Sequence, residues 1–163
     1  MATRALPTTN EAYVPIGTEE TILRSDRREI SLVVANEDLS LTCATRPAGE
    51  RVTDPHLHEH TEAFYVLEGE LTFEVGPERE TITVGAGGLV VTPPGVAHSY
   101  GTAGAHPARW LIIHARDGGF AAFMRGIRDG VEVEWDIAPV PLGGGLPASQ
   151  AIVSRPSSEP PSP

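Results

Sequence analysis

Three histidines and a run of acids crowd into "DPHLHEHTEAFYVLEGE", residues 54–70, before the chain turns apolar. His56 and His58 alternate, so on an extended strand both imidazoles leave the same face. Glu62 follows four residues after His58, and a turn or bulge over residues 59–61 would return its carboxylate to that face. Two imidazoles and a carboxylate on one β-face make a site for a divalent transition metal such as Fe²⁺, Mn²⁺, Co²⁺, Ni²⁺ or Zn²⁺. Taken alone, the spacing is equally that of a solvated, histidine-rich loop.

A partner for this cluster lies further on, in "GAGGLVVTPPGVAHSY", residues 85–100. Gly87 allows one turn, Pro93-Pro94-Gly95 favours a second, and His98 opens the next strand. A fourth ligand presented from a neighbouring strand would arrive in this way. Inward parity continued from Glu62 takes in Phe64 and Val66, and from His98 it takes in Tyr100; Phe73 is a plausible fourth. These four could line an apolar substrate pocket or simply fill the core. His60 shares the parity of His56 and His58, and a solvated or supporting role is expected for it. His106 reads as a loop residue and His114 as the end of an apolar strand, with no site assigned to either.

The elements that must position these residues read as short strands. "EISLVVA" (29–35), "DLSLTCATR" (38–46), "AFYVL" (63–67), "LTFEV" (71–75), "TITV" (81–84), "LVVT" (89–92), "HSY" (98–100) and "RWLIIH" (109–114) are separated by segments rich in Gly and Pro. Strands this short and this regularly spaced predict an all-β sandwich or barrel. One helix follows. In "GGFAAFMRGIRDG", Phe120, Phe123, Met124 and Ile127 form one apolar stripe; Asp117 can start the helix and Gly126 or Gly130 can end it. "VEVEWDI" (131–137) alternates and predicts an edge strand. The domain reading is an N-terminal extension over 1–28, a barrel with its helix over 29–138, and a flexible Pro/Gly/Ser-rich tail over 139–163.

Composition narrows the function. The 163-residue chain carries a formal net charge of −10, and no Lys/Arg cluster suits nucleic acid or an anionic membrane. A single cysteine, Cys43, excludes an intrachain disulfide and a thiolate zinc cluster. No window approaches the roughly 20 apolar residues of a membrane span. A reduced, cytoplasmic protein acting on a small molecule is the expectation.

Together the two motifs resemble the cupin family. The pattern G-x5-H-x-H-x3–4-E-x6-G is matched by His56, His58, Glu62 and Gly69, and G-x5-P-x-G-x2-H-x3-N by Gly87, Pro93, Gly95 and His98. Gly49 stands one residue early for the opening glycine, and Thr102 replaces the closing asparagine. The resemblance, over about residues 29–115, implies a double-stranded β-helix (jelly-roll-like) barrel. It also implies a metal held inside by His56, His58, Glu62 and His98. Such a set leaves open octahedral positions, and Glu62 could then act as a catalytic base. The strand, Gly-Gly turn and Phe-rich helix after the barrel are similar to the bacterial quercetin 2,3-dioxygenase-like group. That similarity implies a dioxygenase, Fe²⁺ favoured, acting on a flavonol-like or other enolic substrate. The alternatives are a non-oxidative isomerase, cyclase, decarboxylase or lyase on a sugar or ketide-like acid, and a binding module without turnover. Cupin barrels commonly pair, which implies a homodimer.

Overall fold

A computed structural model describes residues 17–140 and 152–154. Eight of the nine strands expected from the sequence form: β2 (Glu29–Ala35), β3 (Leu39–Arg46), β5 (Thr61–Glu68), β6 (Glu70–Val75), β7 (Glu80–Gly85), β8 (Leu89–Thr92), β9 (His98–Ala103) and β10 (Ala108–Ala115). Four more accompany them: β1 (Glu20–Arg24), β4 (His56–Leu57), β11 (Ala138–Pro139) and β12 (Ile152–Ser154). Each of these is short or interrupted, so β-branched content and alternation gave little signal. β1 pairs with β2 through a bulge, within the stretch read as an N-terminal extension. β12 pairs with β8 inside the stretch read as a tail. The rest of that stretch beyond residue 140 lies outside the described residues.

Two antiparallel sheets result. One runs β1-β2-β3-β10-β5-β8-β12 and the other β11-β4-β9-β6-β7. Their inner faces are built by strict alternation. Ser40, Thr42 and Ala44 are buried on β3, Glu62, Phe64 and Val66 on β5, and Ala108, Trp110, Ile112 and His114 on β10. Register then stacks these residues into rungs across the first sheet. Ser40, His114 and Glu62 share one rung; Thr42, Ile112 and Phe64 share the next; Ala44, Trp110 and Val66 share the third. A one-residue slip would turn every one of them outward.

The hairpin between β5 and β6 depends on Gly69. Its φ is 72°, and a Cβ there would lie 2.5 Å from the Pro107 carbonyl oxygen, so only glycine permits the turn. Thr102, at the position of the motif asparagine, fastens the loop before β4. Its hydroxyl donates to the Pro47 carbonyl at 2.6 Å and accepts from the Glu50 amide at 2.9 Å.

Helix α1 (Phe120–Asp129) forms where the apolar stripe places it. Asp117 accepts from the Gly119 and Ala121 amides at 3.1 and 2.9 Å, and Gly130, with φ 68°, ends the helix. Phe120, Ala121 and Met124 are buried, while Ile127 is half exposed. On the sheet side, Arg125 and Arg128 both pair with Glu20 of β1, clasping the helix to the barrel. Residues 131–137 are not the edge strand their alternation suggests. They cross the barrel mouth as a strap, carrying Trp135 onto Phe123 and Phe120. No described helix is long and apolar enough to cross a membrane.

Candidate metal centre

The four expected ligands converge from both sheets. Glu62 comes from the inner face of β5, while His56 on β4 lies directly opposite His98 on β9. His58 follows immediately after β4, which ends at Leu57 and so frees the chain to turn the ring inward. One ligand atom from each of His56, His58, Glu62 and His98 lies within 4.8 Å of the others, and all four residues are buried.

Backbone carbonyls determine how the rings face. His56 Nδ1 donates to the Asp54 carbonyl at 2.7 Å, His58 Nδ1 to the Asp136 carbonyl at 2.8 Å, and His98 Nδ1 to the Val96 carbonyl at 3.0 Å. A carbonyl only accepts, so each Nδ1 carries the hydrogen and each Nε2 is directed toward the shared space. His58 Nε2 is buried there without a hydrogen-bond partner, 3.3 Å from Glu62 Oε2. An orphaned imidazole nitrogen beside a carboxylate, in a set of three His and one Glu, fits a divalent transition metal.

Electrostatics agree with a set held ready for a cation. Burial pushes His56 down to about 4, with His98 adding to the effect, so its Nε2 lone pair is free at neutral pH. Burial alone would raise the Glu62 carboxyl. The imidazoles of His58 and His98 outweigh that and hold it well below the usual carboxylate range. His98 shows the reciprocal balance: burial opposes its charge, yet Glu62 raises it above the ordinary histidine value.

Two further histidines stand behind the ligands: His60, in the supporting place that was one of its two expected roles, and His114, to which no site was assigned. His60 and His114 are both buried, with His60 Nε2 2.8 Å from His114 Nδ1. His114 Nε2 lies 3.4 Å from Glu62 Oε1, and His60 Nδ1 lies 3.4 Å from Asp136 Oδ2. The solvated role considered for His60 is thus overturned, because the strap and β10 cover it. For His114 a signal did exist. It continues the parity of Trp110 and Ile112, and such parity predicts an inward side chain. Gly118 closes this side, since a Cβ there would sit 2.9 Å from the His60 ring.

A cavity of about 540 Å³ opens onto His56 and Glu62. Its walls are mostly apolar: Leu23, Ile30, Ala44, Val52, Trp110 and Ile112 from the barrel, with Phe120, Phe123, Met124 and Ile127 from α1. Tyr100 lines it, as the sequence parity suggested. Phe64, Val66 and Phe73 are wholly buried in the hydrophobic core and do not line this cavity. Phe64 packs edge-on to Phe73 at 5.1 Å between ring centroids.

Comparison with known proteins agrees with this architecture. Residues 44–114 match the family model "Cupin domain", and the chain has the double-stranded β-helix fold that this family shares. Among solved structures it is similar to KdgF from a Halomonas species, with a TM-score of 0.54 and 20% identity over 66% of this chain and 96% of that one. An RmlC-like cupin from Shewanella frigidimarina gives 0.54 and 19%, over 66% and 92%. An RmlC-like cupin family protein with a double-stranded β-helix fold from Methanocaldococcus jannaschii gives 0.51 and 16%, over 59% and 88%. At these identities the likeness is one of fold. No curated protein matches the chain.

Proposed function

We propose that the protein is a metal-dependent cupin enzyme, a dioxygenase acting on a small, largely apolar enolic or aromatic substrate. The observation that carries this reading is the apolar cavity ending on His56 and Glu62. A sugar would leave many hydroxyls unpaired against such walls, at a cost of roughly 1–3 kcal/mol each. An enol or phenol with a flat apolar body meets the same walls without that loss. When bound, a divalent metal supplies Lewis-acid activation and, for a redox-active ion such as Fe²⁺, access to O₂.

The chain's own residues supply holding, positioning and proton transfer. His56, His58 and His98 offer Nε2 atoms fixed by backbone carbonyls. Glu62 offers a carboxylate at the cavity edge, placed to accept the proton of a substrate hydroxyl. Trp135, 4.7 Å from the His58 ring, and the Phe residues of α1 exclude water from the mouth. A homodimer belongs to the same proposal. A solution mass near twice 17.3 kDa supports it, and a mass of 17.3 kDa rejects it.

The test is oxygen uptake by protein loaded with Fe²⁺ or Ni²⁺ and offered a panel of flavonols and other enols. Metal-dependent O₂ consumption that Glu62→Gln abolishes supports the reading. Metal-dependent turnover without O₂ uptake would instead identify a non-oxidative isomerase or lyase.

A further inference from the structure

Polar atoms are scarce in the cavity walls, and several of them lack partners. Thr42 Oγ1, Arg46 Nε and Trp110 Nε1 are buried without a hydrogen-bond partner, and all three residues line the cavity. Arg46 is the single Lys or Arg among the described lining residues. Its nearest acid, Glu50, is already held by Arg28 through both carboxylate oxygens, at 2.6 to 3.2 Å. That leaves Arg46 4.0 Å from Glu50, at the limit of an ion pair. A guanidinium facing an apolar cavity with an unpaired N–H calls for an anionic acceptor.

Register shows where the acceptor would sit. Arg46 pairs with Ala108, three rungs along the ladder from the Ser40–His114–Glu62 rung of the metal centre. That separates the two backbones by about 20 Å. Arg46 and Glu62 nevertheless line one and the same cavity, with Tyr100 on its wall. Between them lie Ala44, Trp110 and Ile112, an apolar stretch with the Thr42 hydroxyl beside it. The cavity therefore has a cationic end, an apolar middle and a metal end.

We infer that the ligand is a small organic acid. Its carboxylate is held by Arg46, its apolar body lies along Ala44, Trp110 and Ile112, and its reacting oxygen faces the metal centre. The assignment rests on the proposed metal-dependent function for the far end alone; the Arg46 end stands on the cavity itself. Trp110 Nε1–H can donate to the same carboxylate or to an oxygen along the body, as can the Thr42 hydroxyl.

The experiment measures binding of phenylpropionate, phenylbutyrate and phenylvalerate, and of their primary amides, to the full chain by calorimetry and Trp fluorescence. Each titration uses EDTA-treated protein and Zn²⁺-loaded protein, with wild type, Arg46→Gln and Arg46→Lys. At least one acid should bind about tenfold tighter than its amide in the EDTA-treated wild type. Arg46→Gln should abolish that preference, and Arg46→Lys should weaken it, because a point charge replaces a planar fork. Should Arg46→Gln fail to fold, a weakened preference in Arg46→Lys supports the same conclusion. Equal binding of acid and amide, no binding of any acid, or a preference that survives either substitution unchanged overturns the inference. So does a preference seen only with Zn²⁺ and retained in Arg46→Gln, which would put the carboxylate on the metal. A failure to bind Zn²⁺ would count against the proposed function and leave the EDTA arm intact.

Discussion

His98 Nε2 lies 2.6 Å from Glu62 Oε2, a contact that joins the two sheets at the level of the candidate metal centre. Because His98 Nδ1 already donates to the Val96 carbonyl, this contact makes the ring a double donor, an imidazolium facing a carboxylate. The same nitrogen is the one that must be bare to hold a metal.

Metal binding should therefore displace a proton from His98. Its protonation is favoured above the ordinary histidine value, so affinity for Zn²⁺ or Ni²⁺ should rise as pH increases from 6 to 8. Calorimetry in buffers of different ionisation enthalpy should register proton release near neutrality. A buffer-independent enthalpy would rule out the exchange.

The metal-free protein should lose stability on mild acidification. His56 and His114 are each held down to about 4 by burial, from 6.5. Between those values the unfolded chain takes up protons that the folded one refuses, so stability falls as pH drops through the window. Glu62, held low, adds a loss further into acid, below its usual value of 4.5. His98, held high, contributes in the opposite sense: its stabilisation is present below 6.5 and is lost as pH rises through its raised value. The melting temperature of EDTA-treated protein should decline from pH 6.5 to pH 4, and metal added at pH 6.5 should raise it. A flat profile contradicts the buried-neutral assignment of His56 and His114.

Replacing His114 should weaken metal binding although it is not one of the four ligands. Its Nε2, buried without a hydrogen-bond partner, lies 3.4 Å from Glu62 Oε1, and its ring packs on Phe120 at 4.0 Å, so it backs the carboxylate against the site. His114→Phe keeps the packing and removes the polar contact. A drop of about 10–100-fold in metal affinity is expected. Unchanged affinity in a folded variant would show that Glu62 needs no such support.

Gly118→Ala should destabilise the chain by roughly 1–3 kcal/mol. The residue has φ 58°, and the added Cβ would meet the His60 ring at 2.9 Å. Denaturant unfolding measures this directly, and a neutral result would mean that the strap and His60 give way easily.

Phe64→Ala should cost about 3–5 kcal/mol, because the ring is fully buried against Phe73 and Tyr100. In a folded Phe64→Ala variant, phenylalkanoate affinity should change little, whereas Trp110→Ala should lower it. A reversal of that ranking would place Phe64, not Trp110, at the ligand.

Much of this architecture was legible in residue order because it depends on short-range chemistry. Alternation marked the inner face of β5 through Glu62, Phe64 and Val66. Gly69, Gly87 and Gly95 stood at turns that need positive φ, with values of 72°, 82° and 75°. His56, His58, Glu62 and His98 were legible because they fit the two motifs of the cupin resemblance; their spacing alone left a solvated loop open. Other features depend on long-range packing. Residues 131–137 alternate like a strand, but no sheet edge takes them up; their place is set by Trp135 packing on Phe123 and Asp136 accepting from His58. His60 and His114 are 54 residues apart, and only the pairing of β10 with β5 and the cover of the strap make them partners. Nothing in residue order singles out Arg46; only the fold shows that Arg28 occupies Glu50 and leaves Arg46 at 4.0 Å. The sequence by itself determined which residues alternate and which can turn, because those are properties of a few neighbouring dihedrals. Only the tertiary structure decided which buried polar groups find partners, because partners come from strands far apart in the chain.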